Sequence, residues 1–302
     1  MAETLKAGTL FNPQLVSELY SKVKGESVLA KLSNQTPIPF SGLQQFVFNL
    51  EGRAQFVGEG EQKKGNTAKV TSRIIKPVKI VYQARISDEF KYASEEQQIQ
   101  YLQTFSNGFA SKIAEGLDIG ALHGLEPMSL TDASFKATNS FDGQITNNVV
   151  VYNADVFDDN IDSAVNTVTA HRVKVNGLAL STEGAQALSK IKDGNKLPMY
   201  PEFRFGGEPE KFGAMTCGIT TNLSIPEAST ADQDHAIVGD FQNAFKWGYA
   251  REIPLEVIEY GDPDQTGRDL KAYNEVCLRA ETYVGWGILD TDAFARVKVN
   301  KD

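Results

Sequence analysis

SEEQQIQYLQTFSNGFASKIAEGLDIGALHG, residues 94–124, is the stretch from which the rest of the chain can be ordered. Ser94-Glu95-Glu96-Gln97 has the form of a capping box, in which the serine side chain takes the N3 amide and the glutamine reaches back to the serine N–H. The two glutamates stand where the positive end of a helix dipole favours acids. Beyond the cap, Leu102, Phe105, Phe109, Ile113, Leu117 and Ala121 recur every three or four residues. That spacing predicts one apolar stripe facing a core over about six turns. Gly108 and Gly116 interrupt it; each costs about 1 kcal/mol against alanine inside a helix, which either close backbone approach or plain tolerance explains.

Upstream, Phe46, Phe48 and Leu50 alternate, Gly52, Gly58, Gly60 and Gly65 crowd a turn region, and Val78, Ile80, Tyr82, Ala84 and Ile86 alternate again. This reads as a hairpin with an outgoing strand and a long return strand. A two-stranded projection is marginal in water unless something covers it, so the pattern points to an oligomer. Before it, Leu15, Val16, Leu19, Val23 and Leu29 predict a short helical stretch over about Asn12 to Leu32, followed by Pro37-Ile38-Pro39, an arm rather than a core.

Downstream, residues 125–150 turn polar and lose any sustained period, which places a domain crossing there. A second unit then shows a helix near 155–169 (Phe157, Ile161, Val165, Val168), a strand near Val173 to Leu180, a short helix ending at Asp193-Gly194, and strands to about Tyr260. Near the end, Val276, Leu278, Ala280 and Thr282 share one strand face and Glu275, Cys277, Arg279 and Glu281 the other, the pattern of a half-exposed sheet. The mixture is α+β.

Thirty Lys and Arg against thirty-nine Asp and Glu leave a net charge of −9, which argues against a sequence-reading nucleic-acid binder, whose phosphate contacts need a basic face. The charge is uneven: residues 1–80 hold eleven basic residues and six acidic ones, the remainder nineteen and thirty-three. A basic front and an acidic body suit attraction between subunits, or are simply two solvated surfaces. Cys217 and Cys277, 60 positions apart, form neither a disulfide framework nor a zinc knuckle and suit a reducing cytoplasm. The first residues lack a signal peptide's apolar core and no run is long enough to span a bilayer, so the chain reads as soluble and not secreted.

Catalytic and metal motifs do not assemble. His123, His171 and His235 show no ligand spacing and read as ordinary histidines. Gly58-Glu59-Gly60 with Gly65 precedes a strand, where a dinucleotide loop needs a helix N-terminus. No phosphate loop or nucleophile elbow occurs. Asp262, Asp264, Thr266 and Gly267 open like a calcium loop, but its twelfth position is Tyr273, so a turn is expected. Asp155, Asp158, Asp159 and Asp162 sit at a helix start, where acids serve the dipole. No catalytic residue, cofactor or metal is expected.

Taken in order, the pieces resemble the Hong Kong 97-type major capsid family of tailed bacteriophages over about residues 10–300. Ala54-Gln55-Phe56-Val57-Gly58-Glu59-Gly60 is similar to its A-x-W/F-V-x-E-G stretch, and Ile86-Ser87-Asp88-Glu89-Phe90 to the I-S-x-E segment before its spine helix. Leu117-Asp118-Ile119-Gly120-Ala121-Leu122-His123-Gly124 resembles L-D-x-A-h-L-x-G with Gly120 in the alanine position. Leu188 to Leu197 resembles the family's lysine-Asp-Asn-Gly turn with Gly194-Asn195 inverted, and Gly239-Asp240-Phe241, Asn274 to Ala280 and Ala293-Phe294 fall where the family has its last three signatures.

The resemblance implies an N-terminal arm (1–41), an extended β-hairpin loop (42–76), a peripheral domain with a long spine helix (77–140 and 262–302) and an axial domain (141–261). It implies self-assembly into hexamers and pentamers of an icosahedral phage head enclosing double-stranded DNA without sequence-specific binding, made in the host cytoplasm and without a membrane. Arg53, Phe56, Glu59, Lys63, Lys64, Lys69 and Arg73 of the loop would contact the neighbouring subunit. A portal and a separate scaffolding protein are the expected partners, since the arm-like segment starts near the first methionine. Tyr260 to Leu270 holds no asparagine, so no lysine–asparagine crosslink is expected. The competing readings are an encapsulin-like nanocompartment shell and, more distantly, a soluble enzyme.

Overall fold

The computed structural model describes residues 23, 26–50, 54, 56–57, 59–62, 65, 68–251 and 255–300. In chain order the elements are α1 (Val28–Leu32), β1 (Leu43–Leu50), β2 (Ala68–Ile75), β3 (Val78–Ser87), α2 (Glu95–His123), α3 (Lys136–Asn139) and α4 (Phe141–Gln144). There follow β4 (Val149–Val151), α5 (Phe157–Ala170), β5 (Gly177–Ser181), α6 (Thr182–Lys190), β6 (Lys211–Phe212), β7 (Met215–Thr220) and β8 (Asp234–Gly239). The chain closes with α7 (Phe241–Ala244), β9 (Phe245–Arg251), β10 (Leu255–Ile258), β11 (Glu275–Ile288) and β12 (Phe294–Lys298). Most of the arm helix expected over 12–32 lies outside the described residues; its end is α1.

The spine is α2, 29 residues long. Ser94 Oγ accepts from the Gln97 N–H and Gln97 Oε1 accepts from the Ser94 N–H, so the capping box forms as the sequence predicts. Leu102, Phe109, Ile113, Leu117 and Ala121 are buried, and the helix ends at Gly124 in the left-handed conformation, φ +66°. Gly108 faces open space and Gly116 makes only ordinary contacts, so both are tolerated rather than required. The glycine that packing demands is Gly120, where a Cβ would lie 2.9 Å from the Trp286 ring.

One sheet is built on the long central strand β11. β3 runs antiparallel along it from Ser87 opposite Glu275 to Val78 opposite Val284, while β9 and β10 share its other edge. This corrects the hairpin read from sequence: the return strand is β2, Leu43 pairing with Ile75 and Leu50 with Ala68. Lys76-Pro77 ends β2, and Val78–Ser87 is a separate strand whose partner lies about 190 residues away. Alternation reports that one strand face is covered, not which strand sits alongside. β11 also extends six residues past Thr282, with both faces buried over its last stretch.

The other sheet has six strands in the order β4-β12-β8-β5-β7-β6. Leu178 and Leu180 of β5 pack with Phe157, Ile161 and Val168 of α5 and Leu188 of α6. Ala179, on the opposite face, joins Phe109, Leu117 and Leu29 in the core that also holds Trp247 and Trp286. Covered on both sides, β5 is buried throughout, and its Leu178-Ala179-Leu180 run is apolar instead of alternating. The sheets do not respect the boundaries expected at 140 and 261. β9 and β10 pair with β11, and β12 from the far end of the chain lies between β4 and β8. α6 ends at Lys190, short of the expected 193–194, because Asp193 Oδ1 accepts the N–H groups of Asn195 and Leu197 and closes a turn there.

Candidate assembly surface

The hairpin β1–β2 is the feature with least support from its own chain. At its root, Ile75 and Ile38 pack on Leu289, with Leu43 and Val47 partly buried against them. One position away, Ile74 is 61% exposed and Phe46 56%. At the tip Phe56 is fully solvated and Val57 and Glu59 are exposed. Such a lever exposes apolar groups that a neighbouring surface could cover.

The seven loop residues expected to make contacts separate in space. Phe56 and Glu59 share the tip. Lys69 lies on β2 opposite Asn49, and Arg73 opposite Gln45 nearer the root, where its Nε is buried without a hydrogen-bond partner. Arg53, Lys63 and Lys64 lie outside the described residues.

Three charged residues that sequence reasoning did not single out fasten other parts of the chain: the arm helix, the six-stranded sheet and the 260–275 loop. Asp118, in the last two turns of α2 and fully buried, accepts from Ser27 Oγ at 2.6 Å and from the N–H groups of Val28 and Leu29 at 3.0 and 3.3 Å. It thereby satisfies the open first turn of α1 and ties the arm to the spine. Burial pushes its carboxyl up to about 6 against those hydrogen bonds. The one available signal was an acid set between Leu117 and Ile119 inside an apolar stripe.

Arg296 on β12 is the second, fully buried between Ala295 and Val297. Its guanidinium donates to Asp234 Oδ2 at 2.9 Å, Asp142 Oδ1 at 2.6 Å and Asp232 Oδ2 at 3.0 Å. Asp142 also bonds His123 Nδ1 at 2.9 Å, and His123 Nε2 meets the Asn222 carbonyl at 2.9 Å, so the end of α2, α4 and the six-stranded sheet share one network. Burial raises Asp234 to about 6, with the Arg296 charge opposing. Burial lowers the His123 imidazole, but the bond and charge of Asp142, the charge of Asp234 and the Asn222 carbonyl together hold it above its ordinary value.

Arg85 on β3 is the third. It donates to Asp262 at 2.6 Å and Glu275 at 3.1 Å and also pairs with Asp264, while the Arg85 bond holds the Asp264 carboxyl well below the usual carboxylate range. The calcium-like acids of the sequence thus clasp an arginine and fold residues 260–270 onto the sheet, a turn as expected. Among the described residues no group of three His, Cys, Asp or Glu is placed to hold a metal, and no described helix is long and apolar enough to cross a membrane.

Comparison with known proteins gives these features a context. The model of the phage capsid family matches residues 7–299. "Probable major capsid protein gp17" of Mycobacterium phage D29 is 23% identical, covering 97% of this chain and 90% of that protein. A solved structure from Mycobacterium phage Ogopogo superposes with a TM-score of 0.75 at 32% identity, over 91% of this chain and 92% of that one. One from Gordonia phage Cozz gives 0.73 at 23% identity, over 92% and 87%. The α+β fold is that of Hong Kong 97-type capsid proteins, and the phage reading of the sequence stands over the enzyme. The chain belongs to the phage capsid family and is a major capsid protein, a structural component of the virion shell of a tailed phage.

Proposed function

We propose that copies of this chain join as hexamers and pentamers to close an icosahedral head around double-stranded DNA, with the β1–β2 hairpin lapping over the next subunit. The hairpin's exposure carries this reading: Phe46, Phe56 and Ile74 are solvated on a projection whose root packs on Ile38 and Leu289. The basic loop residues Arg53, Lys63, Lys64, Lys69 and Arg73, with Phe56 and Glu59, meet the acidic body of the neighbour, so charge sets register as well as attraction.

Residues 1–41 act as the arm and 42–76 as the extended loop. Residues 77–140 and 262–302 form the peripheral part around the spine, and 141–261 the axial part at the capsomer centre, with β9 and β10 lent to the first and β12 to the second. A separate scaffolding protein and a portal assist closure, and DNA is contained rather than read. Negative-stain electron microscopy with light scattering at several protein and salt concentrations tests this. Uniform closed shells, or five- and six-membered rings that close as concentration rises, are expected; a chain that stays monomeric throughout refutes it.

A further inference from the structure

The surface between α6 and β6 presents an almost fully exposed aromatic side chain, Phe205, met within the chain by the Arg204 guanidinium 5.2 Å from its ring centre. Phe203 is buried, its ring 5.5 Å from that of Phe212, and Tyr200 donates its hydroxyl to Asp158 at 3.1 Å, so the segment is anchored at two points. Two residues beyond Phe203, Phe205 is 99% exposed. Its backbone is left-handed, φ +58° and ψ 32°, a conformation uncommon outside glycine and strained for a bulky side chain. The turn is tightly closed: a Cβ on Gly207 would lie 2.0 Å from the Glu202 carbonyl oxygen. The exposure is therefore built in by a fixed turn rather than produced by fraying.

Leu197, 62% exposed, and Met199, 50% exposed, belong to the same segment. Its first half carries Lys190, Lys192 and Lys196 against a half-buried Asp193, and its second half Glu202, Glu208 and Glu210 against Arg204, all exposed apart from Asp193, so the first half is net basic and the second net acidic. An apolar centre with a charged rim is the anatomy of a protein interface, and exposed aromatics are its usual anchors. The two halves carry opposite charge, so the segment is complementary to itself. That property suits a repeated contact between identical chains, where one half of the patch meets the other half of the next copy.

We infer that residues 190–210 are a self-docking surface, joined head to tail to the same segment of a second copy of this chain, with Phe205 as its anchor. The inference rests on the proposed shell-subunit reading and names the contact by which copies close a ring.

The test compares wild type, Phe205→Asn, a basic-half reversal (Lys192→Glu with Lys196→Glu), an acidic-half reversal (Glu208→Lys with Glu210→Lys) and the four changes combined. Each is examined by sedimentation velocity and electron microscopy under conditions where wild type assembles. Asparagine accepts the left-handed backbone better than phenylalanine, so Phe205→Asn is expected to keep or raise the melting temperature while raising the concentration needed for assembly roughly tenfold or more. Each half-reversal alone is expected to lose rings, and the combined variant to regain them, a rescue that a folding defect would not show. Shells from Phe205→Asn at wild-type concentrations, or no recovery in the combined variant, overturn the self-docking surface while leaving the shell reading intact. A wild type that never assembles removes the shell reading, and this inference with it.

Discussion

Replacing Arg296 with methionine keeps most of the side-chain volume but removes the positive charge shared by Asp142, Asp232 and Asp234. Of the other cationic groups in the cluster, Lys298 pairs with Asp232 at 3.0 Å and His123 with Asp142 at 2.9 Å, and neither bonds Asp234. Breaking a buried ion pair on one side costs about 3–5 kcal/mol because the partner charge stays buried. At this chain length that is a fall in melting temperature of about 5–8 °C. The size depends on pH. Asp234 already lies at about 6, raised by burial with Arg296 pulling it down, so without the arginine it rises further. A carboxyl raised in the folded state contributes stability that is full in acid and is lost as pH climbs through its folded value. The variant can neutralise its stranded carboxyls at pH 5 and cannot at pH 8. Urea unfolding of the unassembled chain, followed by circular dichroism, should show a clearly larger loss at pH 8. A loss below about 1 kcal/mol, or an equal loss at both pH values, would refute the assignment of Arg296 as counter-ion of this network.

Asp118→Ala leaves the Ser27 hydroxyl and the Val28 and Leu29 amides without their acceptor, at about 1–3 kcal/mol for each buried group left unpaired; limited proteolysis should cut the arm faster while the rest of the chain resists. Asp118→Asn keeps one acceptor, should be milder, and should abolish the wild-type trend, in which arm protection is greatest in acid and declines as pH rises through about 6. Gly120→Val forces the Trp286 ring aside and should cost about 1–3 kcal/mol, read by thermal unfolding together with tryptophan fluorescence. In Gly120→Ala a gain of about 1 kcal/mol in helix propensity offsets much of the clash. Reversing Lys63 and Lys64 to glutamate should impair assembly without changing the melting temperature, and unaffected shells would remove the charge argument for the loop. Denaturing gels of shells should show intact monomer, a covalent ladder being the contrary result.

The spine helix was legible because its signals are local: Ser94 and Gln97 lie within one turn of each other and the stripe repeats within the helix. The exposed hairpin was legible as an excess of apolar residues on a chain segment with nowhere to bury them, but its return strand was not. β2 and β3 follow each other with only Lys76-Pro77 between them, and either could have closed the hairpin. Of the loop residues expected to make contacts, only the tip position of Phe56 and Glu59 followed from the glycine-rich turn. Phe205 carried no signal, since a phenylalanine in a polar stretch reads equally well as a buried plug, which its neighbour Phe203 is.

Local patterning of residues was enough for the class of protein: an α+β chain with a capped spine helix, a projecting basic hairpin and an ordered set of motifs resembling a capsid subunit. Tertiary structure decided who meets whom. It paired Val78–Ser87 with a strand near the far end of the chain, placed β12 in the middle of the other sheet, and turned Arg296, Asp118 and Arg85 from apparent surface charges into internal fasteners. The physical reason is that hydrophobic periodicity records only that a face is covered. A buried charge looks like an exposed one until its partner, often more than 60 residues away, is brought within hydrogen-bonding distance.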